Sequence, residues 1–151
     1  MRILFVCLGN ICRSPMAEGV MRHLAHASGS KLQLDSAGTG GWHAGEPPDH
    51  RAQAAMRRRG MDISDLRARQ ARPDDFERFD LLLAMDADNL RELRRMAPAA
   101  DAHRAKLIMD FAPDHHSREV PDPYYGGDEG FDAVGDMLEA ACRGVLDTIA
   151  R

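Results

Sequence analysis

Arg2-Ile3-Leu4-Phe5-Val6-Cys7-Leu8-Gly9-Asn10-Ile11-Cys12-Arg13-Ser14-Pro15 is the stretch whose reading decides the fold. Ile3 to Val6 is an unbroken apolar run, the mark of a strand covered on both faces. A Gly-containing turn ends it. Ser14 followed by Pro15 then reads as a helix cap and a first helical residue. Met16, Val20, Leu24 and Ala27 fall on one face of a helix running to about Ala27. The unit is strand, turn, helix.

The same alternation continues outward. Leu32, Leu34 and Ser36 alternate with polar residues, as in a second strand. Residues 37–48, with four glycines, read as a loop, and Asp49 to Arg59 as a helix that Gly60 stops. A short helix is expected around Asp74 to Phe79. Leu81 to Met85 reads as a buried strand and Asp86 to Met96 as a helix with Asp86 as its cap. Ala105 to Met109 reads as a fourth strand. Residues 112–130 are polar and rich in Pro and Gly, a loop long enough to carry function. A final helix is expected from Asp132 to Ile149, with Val134, Leu138, Ala141, Val145 and Ile149 inward. Strands alternating with helices predict an α/β three-layer sandwich: a central four-stranded parallel sheet with helices on both faces, in one domain over residues 1–151.

Composition narrows the function classes. The chain has 151 residues, 44% hydrophobic and 29% charged, enough for a real core. A net charge of -4 argues against a dedicated nucleic-acid binder. Lys31 and Lys106 are the only lysines, and Arg57-Arg58-Arg59 reads as a solvated helix face. No stretch is long enough to span a membrane, and the N-terminal apolar run is too short for a signal peptide. A cytoplasmic chain is expected. Cys7, Cys12 and Cys142 do not form a disulfide framework, and no Cys/His cluster, His115-His116 included, has the spacing of a metal site.

The turn after the first strand carries chemistry. It contains Cys7, then Arg13 and Ser14, as Cys-x5-Arg-Ser. In parallel α/β sheets ligands bind outside the carboxyl ends of the strands, which is where this turn lies. Gly9 and Asn10 tolerate the left-handed backbone that an anion-binding nest requires. Loop N–H groups and the helix N-terminus then converge on one spot, favouring an oxyanion there and Cys7 as thiolate. Arg13 can grip two phosphate oxygens with its planar fork, and Ser14 can donate to the sulfur. A cysteinyl-phosphate mechanism also needs an acid for the leaving oxygen. Asp122, between Pro121 and Pro123 in Val120-Pro121-Asp122-Pro123-Tyr124-Tyr125-Gly126-Gly127, is the candidate. Asp86 and Asp128 are the other carboxylates to consider.

Together these residues resemble the low-molecular-weight protein tyrosine phosphatase family. The resemblance includes Cys7-Leu8-Gly9-Asn10-Ile11-Cys12-Arg13-Ser14-Pro15, Asp35-Ser36-Ala37-Gly38-Thr39, Trp42, Pro48-Asp49, Ala68-Arg69-Gln70, Met85-Asp86 with Asn89-Leu90, and Asp122-Pro123-Tyr124-Tyr125-Gly126. It implies hydrolysis of phosphotyrosine and aryl phosphate monoesters, with no metal or organic cofactor. Cys7 would be the nucleophile, Arg13 the phosphate clamp and Asp122 the acid and then the base. Asn10, Ser14 and Ser36 would hold the loop. Cys12 would form a reversible disulfide with Cys7. Leu8, Trp42, Tyr124 and Tyr125 would wall a cleft for an aromatic ring. Phosphotyrosine proteins, such as a tyrosine kinase, would be partners. Many relatives have a His just before the Ala-Arg-Gln stretch that supports the loop asparagine. This chain has Asp65-Leu66-Arg67 there, which leaves open what supports Asn10.

Two enzymatic alternatives share the loop. Thioredoxin-coupled arsenate reduction needs two further cysteines in the middle of the chain, and none lies between Cys12 and Cys142. Protein arginine phosphatases carry Thr where this chain has Ile11, so Ile11 and the Tyr124-Tyr125 pair favour phosphotyrosine.

Overall fold

The computed structural model of the protein describes residues 1–150; Arg151 lies outside them. Four parallel strands form the sheet: β1 (Arg2–Cys7), β2 (Gln33–Gly38), β3 (Leu81–Ala84) and β4 (Ala105–Leu107), in the order β2-β1-β3-β4. Register follows the apolar run of β1, with Phe5 opposite Ser36 on one side and Leu83 on the other. Alternate side chains of this run serve opposite faces, as a pleated strand requires.

Five helices cover the sheet: α1 (Arg13–Ser28), α2 (His50–Arg58), α3 (Asp75–Arg78), α4 (Ala87–Met96) and α5 (Asp128–Ile149). Ile3 and Phe5 pack in one cluster with Met16 and Val20 of α1, Met56 of α2 and Leu138 of α5. Leu4 and Val6 pack in a second cluster with Phe76 of α3 and Leu93 of α4. The expected sandwich, with a four-stranded parallel sheet and helices on both faces, is therefore the observed architecture. Full burial of each large apolar side chain contributes about 1.5–3 kcal/mol, so the two clusters hold the layers together.

Several boundaries differ from expectation. Helix α1 begins at Arg13, so Ser14 is inside the first turn and its hydroxyl is free for other partners. The fourth strand ends at Leu107, and Ile108–Phe111 is a 3-10 turn instead. This strand pairs with β3 alone, so little ladder holds it extended. Helix α5 starts four residues before Asp132, at Asp128, because Asp128 and Glu129 suit a helix N-terminus and outweigh Gly130. Arg59 also departs from a solvated face. It reaches across to α5, bonding the Glu139 carboxylate at 2.9 Å and the Asp132 carbonyl at 2.9 Å.

Asp49 and Asp86 cap α2 and α4, accepting the N–H groups of Arg51 and Asn89, both at 2.8 Å. Such caps contribute about 1 kcal/mol each. Among the described residues, no helix is long and apolar enough to cross a membrane.

The order β2-β1-β3-β4 sets the place of the site. The chain leaves β1 for β2 on one side and crosses to β3 on the other. The carboxyl ends of β1 and β3 thus flank the point where connections diverge, which is where parallel α/β sheets open a crevice. The Cys7–Ser14 turn and Met85-Asp86 face each other there, with Val120 N–H donating to the Met85 carbonyl at 2.8 Å.

Candidate active site

Cys7 ends β1 and is almost fully buried. Its sulfur accepts the Asn10 backbone N–H at 3.3 Å and lies 3.0 Å from the Ser14 hydroxyl oxygen. Asn10 sits in the left-handed region at φ 58°, which turns its N–H inward. Of the two residues expected to take that conformation, Asn10 alone does. Gly9 sits close to the rim instead, since a Cβ there would press to 3.1 Å from His43 Cδ2. Gly38 meets the same turn from β2: a Cβ would stand 2.7 Å from the Leu8 carbonyl oxygen. That closeness lets the Thr39 and Gly40 N–H groups donate to the Cys7 and Leu8 carbonyls, both at 2.9 Å.

Asn10 is supported without a histidine. Its side-chain oxygen accepts the Arg69 backbone N–H at 3.0 Å. Its amide nitrogen therefore faces the other way, donating to Ser14 Oγ at 2.8 Å and Ser36 Oγ at 3.0 Å. Arg69 is itself anchored. Its guanidinium forks onto the fully buried Asp75 at 3.1 Å and reaches Asp35 at 3.1 Å. Burial opposes that charge, but the two carboxylates outweigh it and hold Arg69 above its ordinary value. Leu66, in the stretch just before Ala68-Arg69-Gln70, packs at the edge of the core.

Arg13 is buried at 3% exposure, an expensive place for a guanidinium without partners. Nη1 donates to Asp86 Oδ2 at 2.6 Å and to the Val120 carbonyl at 3.0 Å, while Nη2 lies 3.7 Å from Asp122 Oδ2. Burial alone would pull Arg13 down; Cys7, Asp86 and Asp122 together hold it above the ordinary arginine value. Asp86 is thus more than a helix cap. One of its oxygens caps α4 and the other aims Arg13. Sequence spacing carried no signal for that pairing, which spans 73 positions.

Burial pushes the Cys12 thiol well up, and Asp49, Cys7 and Asp122 push the same way. Cys12 is therefore a neutral thiol at neutral pH. Cys142, fully buried on α5, is pushed up by burial as well, and its sulfur faces the Ala17 carbonyl.

A cavity of ≈ 270 Å³ opens over the turn. Cys7, Leu8, Gly9, Ile11, Cys12 and Arg13 form its floor and one side; Trp42, His43, Asp122, Tyr124 and Tyr125 form its rim. Leu8 (45%), Trp42 (71%) and Tyr125 (92%) are exposed apolar surface around a polar floor. Tyr124 and Tyr125 meet edge to face, 5.0 Å between ring centroids. The Trp42 ring packs against Gly40, where a Cβ would collide with it. Asn10, Ser14 and Ser36 stand behind the cavity as support. The one lining residue with no signal in the sequence is His43, whose Nδ1 lies 2.8 Å from Glu46 Oε2.

A parallel sheet with such a turn at the carboxyl end of its first strand defines an oxyanion-binding α/β protein. The sequence model described as low molecular weight phosphotyrosine protein phosphatase matches residues 2–151. The low molecular weight protein-tyrosine-phosphatase YfkJ of Bacillus subtilis is 43% identical over 151 residues, covering 99% of this chain and 96% of that one. A protein tyrosine phosphatase from Entamoeba histolytica, solved with Hepes in its active site, superposes with a TM-score of 0.96 at 40% identity, covering 99% and 97% of the two chains. A Drosophila arginine phosphatase superposes at 0.94 with 31% identity, covering 100% and 99%. The chain belongs to the low molecular weight phosphotyrosine protein phosphatase family, and is a hydrolase of that family.

Proposed function

We propose that the protein, as a single phosphatase domain over 1–151, hydrolyses phosphotyrosine and aryl phosphate monoesters through a phosphate ester of Cys7. One observation carries this: the Cys7 sulfur is held by an N–H and a hydroxyl in the same cavity that Arg13 and Asp122 line. The Cys7 thiolate attacks phosphorus as the bond to the phenolic oxygen breaks, and Asp122 gives its proton to that oxygen. Water then attacks the cysteinyl phosphate and loses a proton to Asp122, and sulfur leaves as thiolate. Ser14 and the Asn10 N–H receive that charge. Arg13 and the backbone N–H groups hold the phosphoryl oxygens, and neither step calls on a metal or an organic cofactor.

The cleft suits a flat ring, with Leu8, Trp42, Tyr124 and Tyr125 around a polar floor. Ile11 lines the cavity, and its hydrocarbon side chain offers nothing to orient a guanidinium, so phosphoarginine is not favoured. Arsenate reduction is not favoured either, since Cys142 is sealed in the core. The substrates we infer are phosphotyrosine proteins, a tyrosine kinase among them, in the cytoplasm. We further infer a redox-sensitive site in which Cys12 traps an oxidised Cys7 as a disulfide. Turnover of an aryl phosphate without added metal, abolished by alkylation of Cys7, tests the reading. A metal requirement, or activity that survives alkylation, would contradict it.

A further inference from the structure

Arg51 stands in the first turn of α2, where the positive end of the helix disfavours a cation. Its contacts show what it gains there. Nε and Nη2 fork onto the Asp49 carboxylate, both at 3.1 Å. Nη2 also donates to the Tyr124 carbonyl at 3.0 Å, and Nη1 to the Gly126 carbonyl at 3.4 Å. The guanidinium carbon lies 4.8 Å from the Phe131 ring centroid and 5.4 Å from that of Tyr124, within cation–π range of both.

These contacts join the two halves of the cavity. On one side, the Asp49 N–H donates to the Ile11 carbonyl at 2.8 Å, tying the α2 cap to the Cys7–Arg13 turn. On the other, the Tyr124 N–H donates to Asp122 Oδ1 at 3.1 Å. The earlier part of the long loop has its own anchors: Arg118 donates to the carbonyls of Met109, Ala112 and His115, and Val120 pairs with Met85. Among the described residues, the hydrogen bonds that reach 121–126 from another element all come from Arg51.

We propose that Arg51 is the positioning residue of the acid loop, carrying the register of the Cys7–Arg13 turn through Asp49 to Tyr124 and so to Asp122. The proposal rests on Asp122 as the acid. It does not touch substrate; it fixes where the proton donor stands. A donor displaced by about 1 Å loses on the order of a hundredfold in transfer, so the loss should appear only where protonation of the leaving group matters.

The test is single-turnover phenol release from phosphate esters of graded leaving-group pKa, for Arg51→Met, Asp122→Ala and the double variant. Arg51→Met keeps the aliphatic stem beside Phe131 and removes the guanidinium. Phenyl phosphate should lose about tenfold or more, and nitrophenyl phosphate less than about threefold, since nitrophenolate leaves with little help. Adding Arg51→Met to Asp122→Ala should cost nothing further on phenyl phosphate. The rate of Cys7 alkylation by iodoacetate should stay at the wild-type value, which separates a loop effect from damage to the nucleophile. A wild-type leaving-group slope in Arg51→Met, beside a steepened one in Asp122→Ala, would overturn the role of Arg51 alone. A wild-type slope in Asp122→Ala would overturn the acid assignment and this proposal with it. Should Arg51→Met lose its cooperative melt, Arg51→Lys gives the same reading: a slope between the two supports the proposal, and a wild-type slope overturns it.

Discussion

Ser14 Oγ lies 3.0 Å from Cys7 Sγ while accepting the Asn10 side-chain amide at 2.8 Å. An amide nitrogen can only donate, so the one proton of the Ser14 hydroxyl goes to another acceptor, and the sulfur at 3.0 Å is better placed than the Ala37 carbonyl at a long 3.5 Å. The direction is fixed from behind, because the Arg69 N–H occupies the Asn10 oxygen. The hydroxyl is therefore built to stabilise negative sulfur, both before attack and when sulfur leaves.

Ser14→Ala should slow breakdown of the cysteinyl phosphate more than its formation. Loss of one preorganised donor costs about 10²-fold or more in comparable sites. Pre-steady-state release of nitrophenolate should show a fast burst followed by a much slower steady state. A variant that loses burst and steady state equally would assign Ser14 to attack alone.

Asp86→Asn should lower kcat about tenfold without weakening the binding of inorganic phosphate. Asparagine can cap α4 with its oxygen, but its amide nitrogen would then confront Arg13 Nη1, now 2.6 Å from a carboxylate. The fork loses its aim, yet the site also loses a negative charge that repels phosphate. Competitive inhibition by phosphate, measured beside kcat, separates the two effects. Weakened phosphate binding with normal kcat would contradict the aiming role.

Glu18 of α1 is buried at 6% exposure, and burial raises its carboxyl above the ordinary value, with Ser36 opposing and Asp35 adding to the rise. The folded state then holds this proton more tightly than the unfolded chain. Stability falls as pH rises from the unfolded carboxyl value of about 4.3 through the folded one. Glu18→Gln removes that loss. Its melting temperature relative to wild type should improve steadily between acid and neutral pH, and a difference constant with pH would contradict the shift.

The sequence made some of this legible and hid the rest for physical reasons. The apolar run Ile3–Val6 and the Cys7–Ser14 turn are local, and local patterns specify strand, turn and helix directly. Asp122 is a candidate in the sequence from its flanking prolines and long loop, and it lines the cavity 3.7 Å from Arg13. The partner of Arg13 was not legible: Asp86 shows itself only as a cap, because strand order alone brings positions 13 and 86 together. The support of Asn10 was equally hidden, since a backbone N–H at Arg69 leaves no trace in side-chain identity. Glu18 sits in a helix whose spacing suggests no buried acid. Ser14 reads as a cap because Ser before Pro so often is one; here the turn needs the hydroxyl for sulfur, and the helix starts two residues sooner, at Arg13.

The central claim is a covalent phosphate on Cys7, and trapping it is the most direct test. Asp122→Ala removes the base that activates water, so the intermediate should accumulate. Rapid acid quench of this variant with nitrophenyl phosphate, whose leaving group needs little protonation, followed by peptide mass spectrometry, should place one phosphoryl group on Cys7, with none on the Cys7→Ser protein under the same conditions. Phosphate released in step with phenol and no protein-bound phosphoryl group at any time, or a phosphoryl group on another residue, would contradict the account.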